Sequence, residues 1–289
     1  MSGRYTSEKL KILAMGTMFI DHAAVALIYN RGLDEMSPLL ENIGLAMRLI
    51  GRMAFPLYAF LLVQGFLWTR DWKKYVARVA MFAVISEIPY NLVAGDQVWF
   101  LAGQNTMVTM VIGLLCMKAI VSVGERMRGA GAATGDEQVQ MVSIKVASGA
   151  SDAAGGVAEA GVGGPDGKAQ KTPLDWSDRI LEWMSVAMIA VVGMLAAELA
   201  RADYGAFGVL LILVLYLFRY KPMEQMGAGC VVLGLAYNFG IYALFAWIAF
   251  FFINRYNGER GRKLGMLPYV FYPAHLLILS LMSVLIVGM

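Results

Sequence analysis

The sequence is poor in charged residues. Only 16% of its 289 residues are charged, whereas 59% are hydrophobic, and the formal net charge is +3. This composition is too apolar for an ordinary soluble domain and predicts a polytopic integral membrane protein embedded in a lipid bilayer. The net charge itself decides little; we expect the lipid bilayer as a partner and no nucleic acid.

Cysteine and histidine are also scarce, with two residues of each type. Cys116 and Cys230 are isolated inside apolar runs and lack metal-ligand spacing, so we expect neither a disulfide framework nor a metal site. No cleavable signal peptide is predicted, because the first apolar run carries Asp21 and His22 and no small-residue cleavage site follows it.

The chain does contain a series of apolar runs, each near the roughly twenty residues that a helix needs to cross a bilayer. We therefore predict an all-α fold with spans in residues 10–29, 53–68, 75–94, 98–123, 180–200, 204–218, 226–253 and 267 onward. Residues 30–48 are predicted to form a mixed loop, and Pro89 is expected to kink or end the third span.

Residues 124–176 differ from the rest in being rich in Gly, Ala and Ser, with little to bury. They predict a flexible cytoplasmic linker in which the stretch VQMVSIKVA (139–147) is a candidate local strand. The linker divides the chain into an N-terminal membrane bundle, 1–123, with four spans and the catalytic motifs, and a C-terminal bundle, 177–289, with about five.

The distribution of Lys and Arg predicts the orientation, because cytoplasmic loops carry an excess of both. With the N-terminus inside, loop 255–263 and its four basic residues fall inside only if run 226–253 forms two short spans that turn near Tyr237–Gly240. We therefore predict about nine spans in the inner (cytoplasmic) membrane, with a cytoplasmic N-terminus and the C-terminus outside.

The first span combines an apolar face with a polar stripe. Eleven residues separate Lys11 from His22, which amounts to roughly three helical turns plus 20°, so both lie on one face about 16.5 Å apart along the axis. Lys11 is expected at a membrane surface and His22 past the midplane, where an ionisable residue suggests a function.

Both histidines lie in predicted spans. His275 follows Pro273, which frees a carbonyl one turn earlier and so adds local polarity. Each histidine could simply hydrogen-bond a neighbouring helix. A neutral imidazole is also the usual general base near physiological pH, and this makes both residues catalytic candidates.

Asp21 points about 100° away from His22, so a His–Asp dyad within this helix is not expected. Asp21 is predicted to pair with Arg48 or Arg52 from another helix. Glu87 could orient His22 or form a structural ion pair with Arg52, since buried charges need partners.

Four basic residues, Arg70, Lys73, Lys74 and Arg78, flank the cytoplasmic side of the third span. They are either topological anchors against lipid phosphates or, with Lys11, a binding surface for a cofactor that carries several phosphates.

From the residues alone, the function remains open between an acyl-transfer enzyme and a proton-coupled transporter, and the family resemblance described below adds a third class. A same-face Lys and His suits an acyl-transfer site with His22 as base, in which Arg52 or the polar groups near Asn105 and Thr109 stabilise the oxyanion. A proton-coupled transporter or flippase could instead use Asp21, His22, Glu87 and His275 as a relay, although the two halves show no convincing repeat. The third class is a non-catalytic subunit of a secretion or conjugation assembly.

Six stretches carry a family resemblance: LKILAMGTMFIDH (10–22), RLIGRMAFPLYAFLLVQGFLWTRDWKKYVARV (48–79), ISEIPYNL (85–92), NTMVTMVIGLL (105–115), YNGERG (256–261) and FYPAHLLIL (271–279). In this order they resemble the TraX family of integral membrane proteins, whose namesake acetylates pilin during conjugation. The long insertion at the linker departs from the pattern expected of that family.

The first helix is also similar to the basic-residue-x10-His pattern of a larger transmembrane acyltransferase superfamily that uses acetyl-CoA from the cytoplasmic side. The resemblance implies that His22 is the catalytic base, that Lys11 and Arg52 bind the acyl donor or stabilise charge, and that Glu87 and His275 support the site. It implies transfer of an acetyl group to an amine or hydroxyl, on a peptide such as the pilin N-terminus, an envelope glycan or a small molecule.

Overall fold

The computed structural model describes residues 3–31, 37–94, 103–148 and 176–287, with side chains other than those of 31, 128–148 and 287. In these ranges it is helical, with no strand and a short 3-10 turn at Tyr29–Arg31. The α-helices are α1 (Ser7–Leu27), α2 (Pro38–Gly51), α3 (Ala54–Trp68), α4 (Trp72–Ala94), α5 (Thr106–Ser148), α6 (Trp176–Leu199), α7 (Gly205–Leu217), α8 (Pro222–Ala236), α9 (Ile241–Ile253) and α10 (Leu267–Val287).

The chain divides into two compact units. The first comprises residues 1–117 and 190–289, and so draws on both predicted membrane bundles; the second comprises 118–189. In the second unit α5 is helical to Ser148, so the stretch 139–147 is a helix and the strand considered for it is wrong. The proposed linker continues through 149–175, which lie outside the described residues, and its flexibility stays a prediction.

Six helical segments in the described part of the chain are long and apolar enough to cross a membrane: Ser7–Leu27, Pro38–Trp68, Trp72–Ala94, Thr106–Met127, Trp176–Leu199 and Leu267–Ile286. Gly205–Leu217 and Ile241–Ile253 are shorter apolar helices. The protein is therefore a multi-pass membrane protein. Because a count based on helix length leaves out these short helices, it gives fewer spans than the nine predicted from the distribution of Lys and Arg.

One expectation about helix limits is corrected, and one of the two effects expected of Pro89 is excluded. The predicted loop 30–48 contains most of α2, which begins where Ser37 Oγ accepts a hydrogen bond from Leu40 N at 3.3 Å and Pro38 takes the first helical position. A proline there lacks only an amide that has no helical partner. Pro89 does not end the third span, because α4 continues to Ala94.

The division of run 226–253 into two helices is confirmed. Helix α8 ends at Ala236 and α9 begins at Ile241. Between them Asn238 and Phe239 have φ values of 49° and 53°. This left-handed backbone reverses the chain, since consecutive residues with positive φ cannot continue a right-handed helix.

One end of the first unit collects the N-terminal stretch and several helix ends. Tyr5 N donates to Arg255 O at 3.0 Å, and Ser7 N donates to Glu259 O at 2.8 Å. The Arg260 guanidinium lies 4.8 Å from the centre of the Trp68 ring. We call this the basic end, because its Lys and Arg residues are Arg4, Lys9, Lys11, Arg70, Lys73, Lys74, Arg78, Arg255, Arg260, Arg262 and Lys263.

The other helix ends meet at what we call the far end. Near the ends of α10 and α1, Ser283 Oγ donates to Ala26 O at 2.7 Å. Between α6 and α7 and just before α5, Gln104 N donates to Arg201 O at 2.8 Å. The first contact joins the last turns of α1 and α10, and the second joins the α6–α7 loop to the stretch before α5.

Helix α2 approaches α1 closely at a glycine. A Cβ added at Gly51 would overlap the side chain of Asp21. The absence of a side chain therefore lets the end of α2 lie directly against the carboxylate of Asp21. Small residues commonly allow such close approach between membrane helices.

We predict that Gly51→Ala lowers the free energy of unfolding by about 1–3 kcal/mol, the usual cost of forcing extra atoms into a packed interior. Gly16→Ala on α1 is the control, because nothing lies within 4 Å of the added Cβ. Thermal unfolding of both variants in detergent measures the difference. Equal unfolding midpoints for the two variants would show that the α1–α2 contact tolerates a methyl group.

Candidate functional site

The two histidines of the chain meet each other. His22 Nδ1 and His275 Nε2 are 2.7 Å apart, and the two rings are stacked with centroids 5.0 Å apart. Helix α1 supplies His22 and α10 supplies His275, so 253 residues of sequence separate the pair. Each histidine could, from the sequence, hydrogen-bond a neighbouring helix, and in the structure the partner of each is the other histidine.

A second hydrogen bond sets the tautomers of this pair. His275 Nδ1 lies 2.7 Å from the carbonyl oxygen of Phe271, and a carbonyl can only accept. His275 Nδ1 therefore carries the proton, so in the neutral ring Nε2 accepts from His22 Nδ1–H. His22 Nε2 is left with the lone pair, and no hydrogen bond among the described residues uses it.

Asp21 forms the ion pairs predicted for it, and it forms two. Arg48 Nη1 lies 2.6 Å from Asp21 Oδ2, and Arg52 Nη2 lies 2.7 Å from Asp21 Oδ1. The three side chains are 10–29% exposed. Both arginines come from the end of α2 and the turn that follows it, so one carboxylate of α1 compensates two partly buried cations.

Glu87 has neither of the partners proposed for it. Its Oε2 accepts from Asn105 Nδ2 at 2.5 Å, so it neither orients His22 nor pairs with Arg52. Asn105 also donates to Ala83 O at 2.8 Å and thereby ties the start of α5 to α4. Thr109 donates its hydroxyl to the Asp203 carbonyl. Asn105 and Thr109 are thus engaged in helix contacts instead of facing a substrate.

A cavity of about 240 Å³ lies beside the histidine pair and the ion pairs. Its lining combines polar groups of helices α1 to α5 and of the α6–α7 loop with apolar side chains: Met18, Asp21, His22, Val25, Arg48, Gly51, Arg52, Ala54, Phe55, Tyr58, Tyr90, Val93, Ala94, Thr106, Asp203, Tyr204 and Leu276. Of the predicted site residues Asp21, His22 and Arg52 reach it. His275 contacts His22 but does not itself line the cavity. Glu87 is also absent from the lining.

The sequence analysis missed Asp203. Its Oδ2 accepts from Thr106 Oγ1 at 2.6 Å and its Oδ1 from Tyr204 N at 3.1 Å. Burial raises the pKa of the Asp203 carboxyl, an effect that the Thr106 hydrogen bond opposes. The available signal was an acid directly before an apolar run. Its position between the predicted spans 180–200 and 204–218 indicates only a connecting loop.

Tyr204 accompanies Asp203 and has an unusual backbone. Its φ is 67°, in the left-handed region that bulky residues rarely adopt. Its ring stacks on Phe55 with centroids 3.8 Å apart. This contact holds the start of α7 against α3 at the wall of the cavity.

The residues predicted to bind a phosphate-bearing cofactor lie away from the cavity, at the basic end. Arg70, Lys73, Lys74 and Arg78 are exposed there, and Lys11 is half-buried. Lys74 also pairs with Asp71, whose pKa is lowered by a hydrogen bond from the Lys74 backbone amide. Among the described residues, no group of three His, Cys, Asp or Glu side chains has the arrangement of a metal site.

A protein-family model matches most of the chain, including the residues of this site. The family model described as "TraX protein" matches residues 6–134 and 172–283, a range that contains both histidines, the ion pairs and Asp203. The chain belongs to the TraX family. The family resemblance of the six motifs is thereby confirmed.

A curated relative of this TraX family chain is the "Probable fimbrial assembly protein FimC, serogroup H1" of Dichelobacter nodosus. The two are 31% identical over 120 residues, which is 39% of this chain and 46% of the relative. The chain thus spans about half the length of that relative. No solved structure matches the chain significantly.

We predict that Asp21→Asn destabilises the fold by about 3 kcal/mol, because it leaves two buried guanidinium groups without their carboxylate. Asp71→Asn is the control: the same substitution removes an exposed carboxylate that also pairs with a cation, and it should leave the unfolding midpoint unchanged. Thermal unfolding in detergent measures both variants. An Asp21→Asn protein as stable as the unsubstituted one would show that the ion pairs add no net stability.

Proposed function

We propose that this protein is a membrane-bound acetyltransferase that moves an acetyl group from acetyl-CoA to an amine or hydroxyl acceptor. The observation that carries the proposal is the chain of hydrogen bonds from Phe271 O through His275 to His22. It leaves His22 Nε2 as an unprotonated nitrogen beside a polar cavity. A general base needs this property at neutral pH.

Within this proposal the residues have separate tasks. His22 accepts the proton of the acceptor, and His275 holds His22 in the tautomer that can accept it. General-base catalysis of this kind contributes typically 10²–10⁴-fold. The Asp21 ion pairs hold α1 against the end of α2 and so maintain one wall of the cavity.

The charge of the basic end supports acetyl-CoA as the acyl-donor substrate. Its exposed cations Arg70, Lys73 and Lys74 suit the phosphates of CoA, and Lys11 begins the stripe that leads to His22. Since α1 is continuous across both residues, they are about 16.5 Å apart along its axis. The cavity volume of about 240 Å³ suits an acetyl group and the reacting part of an acceptor, with the nucleotide remaining outside.

The acceptor class is inferred from the family and its relatives. Membership of the TraX family and similarity to a protein named for fimbrial assembly favour a pilin-like or fimbrial peptide. An envelope glycan or a small molecule would use the same chemistry, because the base has to remove a proton from either an amine or a hydroxyl.

The proposed topology has nine spans in the inner (cytoplasmic) membrane. Counting α1, the pair α2 and α3 as one span, and each of α4 to α10 gives this number. Loop 254–266 and the N-terminus share the basic end, which the positive-inside rule assigns to the cytoplasm. The cavity then lies in the half of the membrane remote from the cytoplasm.

The contacts do not favour a proton relay through Asp21, His22, Glu87 and His275. Asp21 is held by two arginines, and Glu87 bonds Asn105. The two histidines are in contact, but no hydrogen bond among the described residues links this pair to either carboxylate.

We predict that purified protein in detergent or liposomes hydrolyses or transfers labelled acetyl-CoA, and that His22→Ala lowers the rate at least 100-fold. The acetyl product and released CoA are measured together. Activity of His22→Ala equal to that of the unsubstituted protein would overturn the role of His22. A pH-gradient-driven flux that needs no acetyl-CoA would overturn the proposed activity.

A pair of His275 variants tests the tautomer argument. His275→Gln retains an oxygen that can accept from His22 Nδ1–H, whereas His275→Leu has no acceptor. We expect the Gln variant to be at least tenfold more active than the Leu variant, with similar KM for acetyl-CoA. Equal activities would contradict a positioning role for His275.

Single cysteines test the proposed orientation in a protein without Cys116 and Cys230. We predict that an impermeant maleimide labels Asn238→Cys at the far end in intact cells whose outer membrane has been made permeable. Lys263→Cys at the basic end should be labelled only after the inner membrane is opened. The reverse pattern would contradict a cytoplasmic N-terminus.

A further inference from the structure

We propose that the hydroxyl of Tyr58 donates a hydrogen bond to the carbonyl oxygen of the acyl donor and stabilises the negative charge that develops there. This inference rests on the proposed acetyltransferase function and assigns a second catalytic residue to the same cavity. Tyr58 lies on α3, two residues beyond the Ala54-Phe55-Pro56 motif.

The first observation is that this hydroxyl is buried without a partner. No described residue forms a hydrogen bond with Tyr58 Oη. Buried polar groups normally have a partner, so an unpaired hydroxyl at a cavity wall indicates the place of a ligand atom. Tyr58 lines the cavity together with His22 and Arg52.

The second observation is that the other polar groups of the lining are largely engaged. Arg52 donates from Nη2 to Asp21 and from Nε to Arg48 O. Thr106 donates its hydroxyl to Asp203. In contrast to Arg52 and Thr106, the Tyr58 hydroxyl is a buried donor without a hydrogen-bond acceptor among the described residues.

His22 Nε2 and Tyr58 Oη, neither of which has a hydrogen bond among the described residues, are chemically complementary. His22 Nε2 carries a lone pair and takes up a proton, whereas Tyr58 Oη carries a proton and can donate a hydrogen bond. Acyl transfer requires both, since the nucleophile loses a proton while the carbonyl oxygen gains negative charge.

The step assigned to these residues balances as follows. The acceptor nitrogen or oxygen bonds to the acyl carbon, and its proton passes to His22 Nε2. The carbonyl electron pair moves onto the oxygen, which Tyr58 Oη holds by its hydrogen bond. When the carbonyl reforms, the carbon–sulfur bond breaks, and the leaving thiolate receives the proton from His22.

Tyr58→Phe tests the inference, because it removes one oxygen and keeps the ring. We expect kcat for labelled acetyl-CoA turnover to fall about 100-fold, the usual effect of losing one such donor, with KM for acetyl-CoA unchanged within threefold. Tyr256→Phe is the matched control. Its hydroxyl is also buried and unpaired, but it lies at the basic end against Phe60 and Trp68, so kcat should stay within twofold.

A second variant separates chemistry from folding. Replacement of Tyr58 by 3-fluorotyrosine restores the hydroxyl on a slightly larger ring, and should return kcat to within about threefold of the unsubstituted protein. If the loss in Tyr58→Phe came from disturbed packing, the unfolding midpoint of that variant in detergent would fall together with kcat, and the inference would fail.

The outcomes distinguish this inference from the function on which it rests. If His22→Ala is inactive and Tyr58→Phe retains full kcat, the inference about Tyr58 is wrong and the acetyltransferase proposal stands. If the unsubstituted protein neither binds nor turns over acetyl-CoA, the proposed function itself is wrong. A kcat loss in Tyr58→Phe together with rescue by 3-fluorotyrosine supports both.

Discussion

The double ion pair at Asp21 is the interaction on which the rest of the structure depends. A charge buried in an apolar bundle is costly unless an opposite charge compensates it. Asp21 on α1 meets this demand for both Arg48 and Arg52 at once. The same requirement explains Gly51, because any larger residue at the end of α2 would displace the carboxylate.

This tie also determines where His22 points. Adjacent helix residues diverge by about 100°, so fixing Asp21 against α2 turns His22 toward a different neighbour. That neighbour is α10, which presents His275 and the Phe271 carbonyl. Asp21, which compensates the two arginines, and His22, the candidate proton acceptor, thus lie on adjacent faces of α1, and both line the cavity.

Several features of the site follow from the sequence. The pairing of Asp21 with arginines was predicted from its offset from His22, and the split between α8 and α9 from the charge of loop 255–263. Two predictions failed, each for its own reason. Glu87 was assigned to His22 or Arg52 because it is an acid within a span, yet its neighbour is Asn105. Residues 30–48 predict a loop because their composition is mixed, yet Pro38 occupies the first turn of α2, a position that tolerates proline.

The sequence by itself determined the class of protein, the apolar segments, the basic end and the polar stripe on α1, because composition and helical periodicity are local properties. Only the tertiary structure decided that His22 meets His275 and that Tyr58 and Asp203 line the cavity beside it. These residues are far apart in the chain, and their meeting depends on which helices pack together. That choice is made by the fit of whole helix surfaces, which no single stretch of sequence contains.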